Sequence, residues 1–162
     1  MPMHSFMQVT GKTQGKIEGS CTIKGKENTI EVWAMEHKIE IPRNIHDGLP
    51  SGSRIHQPLM IEKNIDKSSP KLYQALTSGE QLTEVLLDYW RITPEGKEEK
   101  YFTIKLETAI IVNMETFYPE TFVPENEVYR HMEKVAFTYE KIIWTWQPDG
   151  IEAEDNWKEP KA

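Results

Sequence analysis

The strongest constraint in this sequence is an alternation of apolar and polar side chains with a period of two over residues 101–110. The positions expected to share one face are Phe102, Ile104, Leu106, Thr108 and Ile110. Successive side chains of a β-strand point to opposite faces of a sheet, so this period predicts a strand with one buried face. Residues 59–65 and 135–140 alternate in the same way. The chain is therefore expected to be mainly β.

Turn-forming residues lie between the predicted strands. The sequence Thr-Pro-Glu-Gly at 93–96 separates a run at 82–92 from a run at 100–111 and predicts a hairpin. Similar turn signals occur at 11–15 and 24–28. The runs between turns number about seven to nine, which is typical of a β-sandwich or a β-barrel.

Residues 66–80 break the alternation and predict one short helix. Ser69 is placed to cap its N-terminus, Pro70 to occupy the first helical position, and Gly79 to end it. Three apolar side chains recur at helical spacing, namely Leu72, Ala75 and Leu76. A helix over about 69–78 is too short to be stable alone, so we expect it to pack on the sheet.

Two predicted strands, at 82–90 and 142–146, carry apolar side chains on both faces. An antiparallel sheet with one wet face should be polar on that face. The pattern therefore indicates that a helix or another subunit covers the second face. A thick local core with ordinary exposed aromatics is the alternative interpretation.

Charge and composition exclude several classes of function. A net charge of −7 disfavours a general nucleic-acid binder and an anionic membrane surface, since both require a basic surface. No apolar run reaches the roughly 20 residues that a membrane helix needs. The lone Cys21 cannot form an intrachain disulfide and alternates with Ile17 and Ile23, which predicts a buried, inert thiol. The N-terminal residues lack the apolar region of a signal peptide, so we expect synthesis and folding in the cytoplasm.

Motifs for catalysis are missing from the sequence. There is no phosphate-binding glycine loop, HExxH, CxxC or nucleophile elbow. His46, Asp47 and His56 could supply a two-histidine, one-carboxylate metal site. They lie on a loop rich in Gly, Pro and Ser, which gives metal ligands little rigid support. We therefore expect no catalytic, cofactor-binding or metal-binding residues.

The same loop, at about 42–57, is better interpreted as a docking element. Prolines bracket it at both ends, and a long excursion from a small β domain is usually functional or disordered. It combines apolar side chains with polar groups that can make directional contacts. The candidate docking residues are Arg43, Ile45, His46, Asp47, Leu49, Arg54 and His56.

Several segments together resemble the haemolysin-coregulated proteins (Hcp), the tube subunits of bacterial type VI secretion. The most similar segment is the helix region at 67–80. Others lie at 15–21, 41–43, 48–52, 54–59, 99–104 and 137–142. The similarity runs in order from about residue 5 to residue 147, which is nearly the whole chain.

The resemblance implies a compact antiparallel β-barrel of two sheets with one short flanking helix. It further implies homo-hexameric rings that stack into a hollow tube, and export without a signal peptide. The expected partners are other copies of the chain, the spike, sheath and baseplate components, and small effector proteins in the lumen. A member of this family is an assembly component rather than an enzyme, and its loop after Ile41-Pro42-Arg43 takes part in contacts between rings or subunits.

The expected domain organisation is one barrel domain over 1–147 followed by an acidic, mobile tail over 148–162. A second hypothesis is a monomeric β-barrel that binds a ligand through exposed aromatics such as Trp33, Trp90 or Trp144. A third is a small hydrolase or metalloprotein centred on His46 and His56.

Overall fold

A computed structural model describes residues 3–159, which form eleven strands, one α-helix and one short 3-10 helix. In chain order these are β1 (Ser5–Gly11), β2 (Gly15–Ile17), β3 (Ile30–Glu36), β4 (Ile39–Glu40), β5 (Ile55–His56), β6 (Leu59–Asn64), α1 (Ser69–Ser78), β7 (Leu82–Ile92), β8 (Glu98–Phe117), the 3-10 helix (Pro124–Asn126), β9 (Met132–Thr138), β10 (Lys141–Trp146) and β11 (Ile151–Asn156). The count exceeds the predicted seven to nine because several of the additional strands are only two or three residues long.

Six of the strands close into an antiparallel barrel in the order β8-β7-β1-β3-β6-β9, and β9 returns to β8. Closure depends on the 20 residues of β8. Its first part pairs with β7 as far as Ala109 opposite Leu82, and its last part pairs with β9 from Ile110 opposite Thr138. β4 and β5 form a separate two-stranded sheet. The predicted β-barrel of two sheets is therefore confirmed.

Alternation along β8 is confirmed only as far as Leu106. Ile104 and Leu106 are buried as predicted, but Ile110 is exposed and its neighbours Ala109 and Ile111 are buried instead. The reason is Thr108, whose φ of 51° interrupts the extended backbone where β8 passes from one partner strand to the next. Beyond this point the face that points into the barrel is the opposite one.

The helix occupies the predicted residues, Ser69–Ser78, and buries Leu72 and Ala75 against the barrel. Its end is also as predicted, since Gly79 adopts a left-handed φ of 69°. The prediction that Ser69 caps the helix was wrong. Ser68 occupies the N-cap position, and the hydroxyl of Ser69 donates a hydrogen bond of 2.7 Å to Glu133.

The acidic segment expected to be a mobile tail contains a strand. β11 pairs antiparallel with β10 from Ile151 opposite Trp146 to Asn156 opposite Lys141. Backbone pairing thus overrides a composition that disfavours strands. The parts of the expected domain and tail at 1–2 and 160–162 lie outside the described residues.

Cys21 is buried, as expected, but it lies in the segment between β2 and β3 rather than on a strand. No helix within residues 3–159 is long and apolar enough to cross a membrane.

Candidate assembly surface

Residues 42–57, which we call the arm, form an ordered hairpin-like projection. At its base Glu40 pairs with Ile55, and a single bridge joins Arg43 to Pro50. Its tip is closed by hydrogen bonds of 2.8 Å from Asn44 N–H to the Leu49 carbonyl and 2.9 Å from Gly48 N–H to the Asn44 carbonyl. Several backbone N–H and C=O groups of the arm therefore form hydrogen bonds within the arm itself and not with the barrel.

Apolar side chains at the tip of the arm point into solvent. Ile45 is 93% exposed and Leu49 is 63% exposed. Arg43, His46 and Asp47 are exposed beside them. An ordered projection that presents large apolar groups together with charges is typical of a surface that another protein covers. Five of the seven predicted docking residues thus share one exposed tip.

The other two predicted docking residues, Arg54 and His56, point the other way. His56 is only 3% exposed. Its Nδ1 lies 2.6 Å from the hydroxyl of Tyr139, and its Nε2 lies 2.7 Å from Oδ2 of Asp155. Arg54 donates to Asp155 at 2.7 Å and to the carbonyl oxygens of Asn156 and Glu159 at 2.6 Å each. These two side chains hold the base of the arm and face away from the exposed tip.

Electrostatics at the base of the arm follow from these contacts. The hydrogen bond from Arg54 holds the pKa of Asp155 at about 2. The hydroxyl of Tyr139 also contacts Nε2 of His37 at 2.9 Å, so two histidines share one hydroxyl. Burial lowers the pKa of His37 below its usual 6.5, and the proximity of His56 acts in the same direction. At neutral pH the base of the arm therefore holds an ionised Asp155 and a neutral His37.

A second exposed apolar region lies on residues 118–131, which sequence reasoning missed. Phe122 is 80% exposed and Val128 is 84% exposed. Val128 and Tyr129 line a groove of about 410 Å³ together with Trp33 of β3. One feature of the sequence could have indicated this region: its apolar side chains lie among prolines and do not alternate with polar ones, as they would on a strand.

The three aromatics named for a ligand-binding module do not form an exposed platform. Trp33 is exposed and stacks on His4 with ring centroids 4.3 Å apart. Trp90 is half-buried under the ammonium of Lys26, which lies 4.4 Å from its ring centroid. Trp144 packs against the hydrophobic core. Of the three, Trp33 is the one available to a ligand.

The residues considered for chemistry do not converge. His46 is exposed at the tip of the arm, whereas His56 is buried at its base. Within residues 3–159 no group of three or more His, Cys, Asp or Glu side chains could hold a metal ion. The hydroxyl of Ser69 lies 3.2 Å from Nζ of Lys63, but both groups are buried and both contact Glu133, so they form an internal polar network.

Comparison with known proteins identifies the family of this chain. The family described as "Type VI secretion system effector, Hcp" matches residues 6–146. A "Major exported protein" of Pseudomonas aeruginosa is 38% identical over 171 residues, which cover 100% of this chain and 99% of the relative.

Solved structures give the same result. Hcp1 from E. coli EAEC 042 is 34% identical, with a TM-score of 0.84 over 97% of this chain and 99% of the other. Another Hcp protein is 33% identical, with a TM-score of 0.89 over 96% of this chain and 98% of the other. A match to the family over most of the barrel, together with close relatives along the whole chain, leads to one conclusion. The protein is a member of the Hcp family of secreted type VI secretion proteins.

Proposed function

We propose that this protein is the structural subunit of a type VI secretion tube, in which six copies form a ring and rings stack into a hollow cylinder. The observation that carries the proposal is the exposed tip of the arm, where Ile45 and Leu49 lie in solvent on an ordered backbone. Such side chains are stabilised when another copy covers them. The tip is the proposed docking surface between copies.

Net charge sets a limit on the strength of stacking. Six chains of charge −7 carry about −42, so rings repel one another unless their opposed faces differ in charge. We therefore expect rings that are stable alone and that stack weakly without the rest of the secretion apparatus. Long tubes in dilute protein at low salt would contradict this expectation.

In this proposal the protein is made in the cytoplasm and exported by the secretion apparatus. Its partners are other copies, the spike, sheath and baseplate components, and small effectors that fit inside the ring. Membership of a family of secreted proteins supports export. No catalytic step is proposed.

The first test is the native mass of the purified protein by light scattering on a sizing column. The expected value is about six times the 18.9 kDa subunit mass, with open-centred rings in electron micrographs. A monomer over a wide concentration range would overturn the proposal. In that case the groove beside Trp33 would become the leading candidate for a ligand-binding site.

A further inference from the structure

The base of the arm is attached to a part of the chain about 100 residues away. Within residues 3–159, the side-chain hydrogen bonds from the arm to other elements come from Arg54 and His56. Both side chains reach Asp155 on β11. The indole ring of Trp157, just after β11, stacks on His56 with centroids 5.2 Å apart. One segment, β11 with Trp157, thus covers the base of the arm.

Backbone pairing alone gives the arm little restraint. The small sheet at its base consists of two residue pairs, Ile39 with His56 and Glu40 with Ile55. One further bridge joins Arg43 to Pro50. A two-stranded ladder of this length is not stable by itself in water. The direction in which the tip projects therefore depends on contacts from outside the arm.

We infer that β11 acts as a strap that fixes the arm, and that Asp155 is the positioning residue through which it does so. The inference rests on the proposed docking role of the tip, because fixing the arm sets where Ile45 and Leu49 are presented. It assigns a role to the acidic C-terminal segment and separates the predicted docking residues into two groups. The tip makes contacts with other copies, while Arg54 and His56 set its orientation.

The chemistry at Asp155 explains why a carboxylate is needed there. Its oxygens accept from Nε of Arg54 at 2.7 Å, from Nη2 of Arg54 at 3.1 Å and from Nε2 of His56 at 2.7 Å. An amide in the same place offers one acceptor oxygen and turns an N–H₂ group toward donors. Asp155→Asn keeps nearly the same side-chain shape. Because of the different hydrogen-bonding groups, it still breaks at least one of these bonds, and it removes the counter-ion of Arg54.

Hydrogen exchange of backbone amides tests the strap directly. Arm amides that are bonded in the structure report its opening, for example Asn44, Ser51 and Gln57. In Asp155→Asn we expect these amides to exchange about tenfold faster, because the arm opens locally while the rest of the barrel stays folded. Asp155→Glu retains the charge and should recover much of the protection.

Glu154→Gln is the matched control on the same strand. The Glu154 carboxylate pairs with Lys141 at 2.9 Å and forms no hydrogen bond or ion pair with the arm within the described residues. The same loss of charge at this position should leave exchange in the arm unchanged. Equal acceleration in Glu154→Gln and Asp155→Asn, or no acceleration in Asp155→Asn, would overturn the inference. Wild-type arm amides as strongly protected as those of the barrel strand β6 would also overturn it, since the arm would then open only when the whole barrel unfolds.

The exchange measurement separates this inference from the proposed function. It reads the arm of each subunit whether the protein is a monomer or a ring. A monomeric native mass would reject the tube subunit and leave the strap intact. Unprotected arm amides in wild-type rings would reject the strap and leave the tube subunit intact.

Discussion

The ammonium group of Lys63 contacts the carboxylate of Glu133 inside the barrel, where both side chains are completely buried. Lys63 also reaches the carboxylate of Asp66 at 3.1 Å and the carbonyl of Asn64 at 2.9 Å. Ser69 at the start of α1 completes the network through its bond to Glu133. The network joins β6, β9 and the helix at one buried point.

Removing one member of this network should cost far more stability than removing the pair. Lys63→Met leaves Glu133 buried without its counter-ion, and we expect a loss of about 3–5 kcal/mol in the free energy of unfolding. The double variant Lys63→Met with Glu133→Leu should recover most of that loss, because no unpaired charge remains at this pair. Urea unfolding of the wild type and both variants measures the difference. A double variant as unstable as the single one would contradict the expected pairing.

Stability should fall in acid because of Asp155. Its folded pKa of about 2 lies below the ordinary 3.8, so its contribution is complete above about pH 5 and is lost as the pH falls toward 2. The difference corresponds to about 2 kcal/mol. Thermal unfolding between pH 2 and pH 6 should show a shallower acid slope in Asp155→Asn than in the wild type. Identical slopes would mean that the ion pair with Arg54 does not form in solution.

Close packing at Gly19 should make this position intolerant of a side chain. A Cβ there would lie 2.3 Å from the carbonyl oxygen of Thr29 and 2.7 Å from a side-chain carbon of Ile30. We expect Gly19→Ala to cost about 1–3 kcal/mol in chemical unfolding. Gly52→Ala is the control, since its nearest neighbour would be Pro42 at 3.9 Å. Equal effects of the two substitutions would show that the segment after β2 can move away from Thr29 and Ile30 and make room for the added methyl group.

A charge at the tip of the arm should affect assembly and leave the fold unchanged. Leu49→Asp places a carboxylate on a side chain that is 63% exposed, so the free energy of unfolding should change by less than about 0.5 kcal/mol. Rings of this variant should fail to stack, which sedimentation and electron microscopy would measure. Secretion should fail as well. Ile92→Asp is the control, because Ile92 is 63% exposed and lies on β7, outside both the arm and β11. Normal secretion of Leu49→Asp would remove the docking role.

Local signals in the sequence predicted those parts of the fold that depend on local geometry. The helix Ser69–Ser78 has its own proline and glycine signals, and the hairpin between β7 and β8 has its own turn. The change of face in β8 could not be predicted, because Thr108 adopts its unusual φ only where the barrel closes. β11 was missed for a related reason. Neither of its faces is buried, so it leaves no alternation to recognise.

The sequence predicted which segment forms the candidate docking surface, but not which of its residues face solvent and which hold its base. Composition and prolines identified the arm, and Ile45 and Leu49 are exposed as a docking surface requires. Arg54 and His56 look the same in the sequence as Arg43 and His46. What distinguishes them is Asp155, and a partner so distant along the chain cannot be read from the arm itself.

Closure of the barrel also determines which strand edges remain open to other molecules. The longer sheet ends at β11, which pairs with no further strand on its outer side among the described residues. Such an edge invites pairing with a strand from another molecule, and charged side chains discourage it. β11 carries Glu152, Glu154 and Asp155 within six residues. The acidity that made this segment resemble a tail thus disfavours edge-to-edge aggregation of the protein.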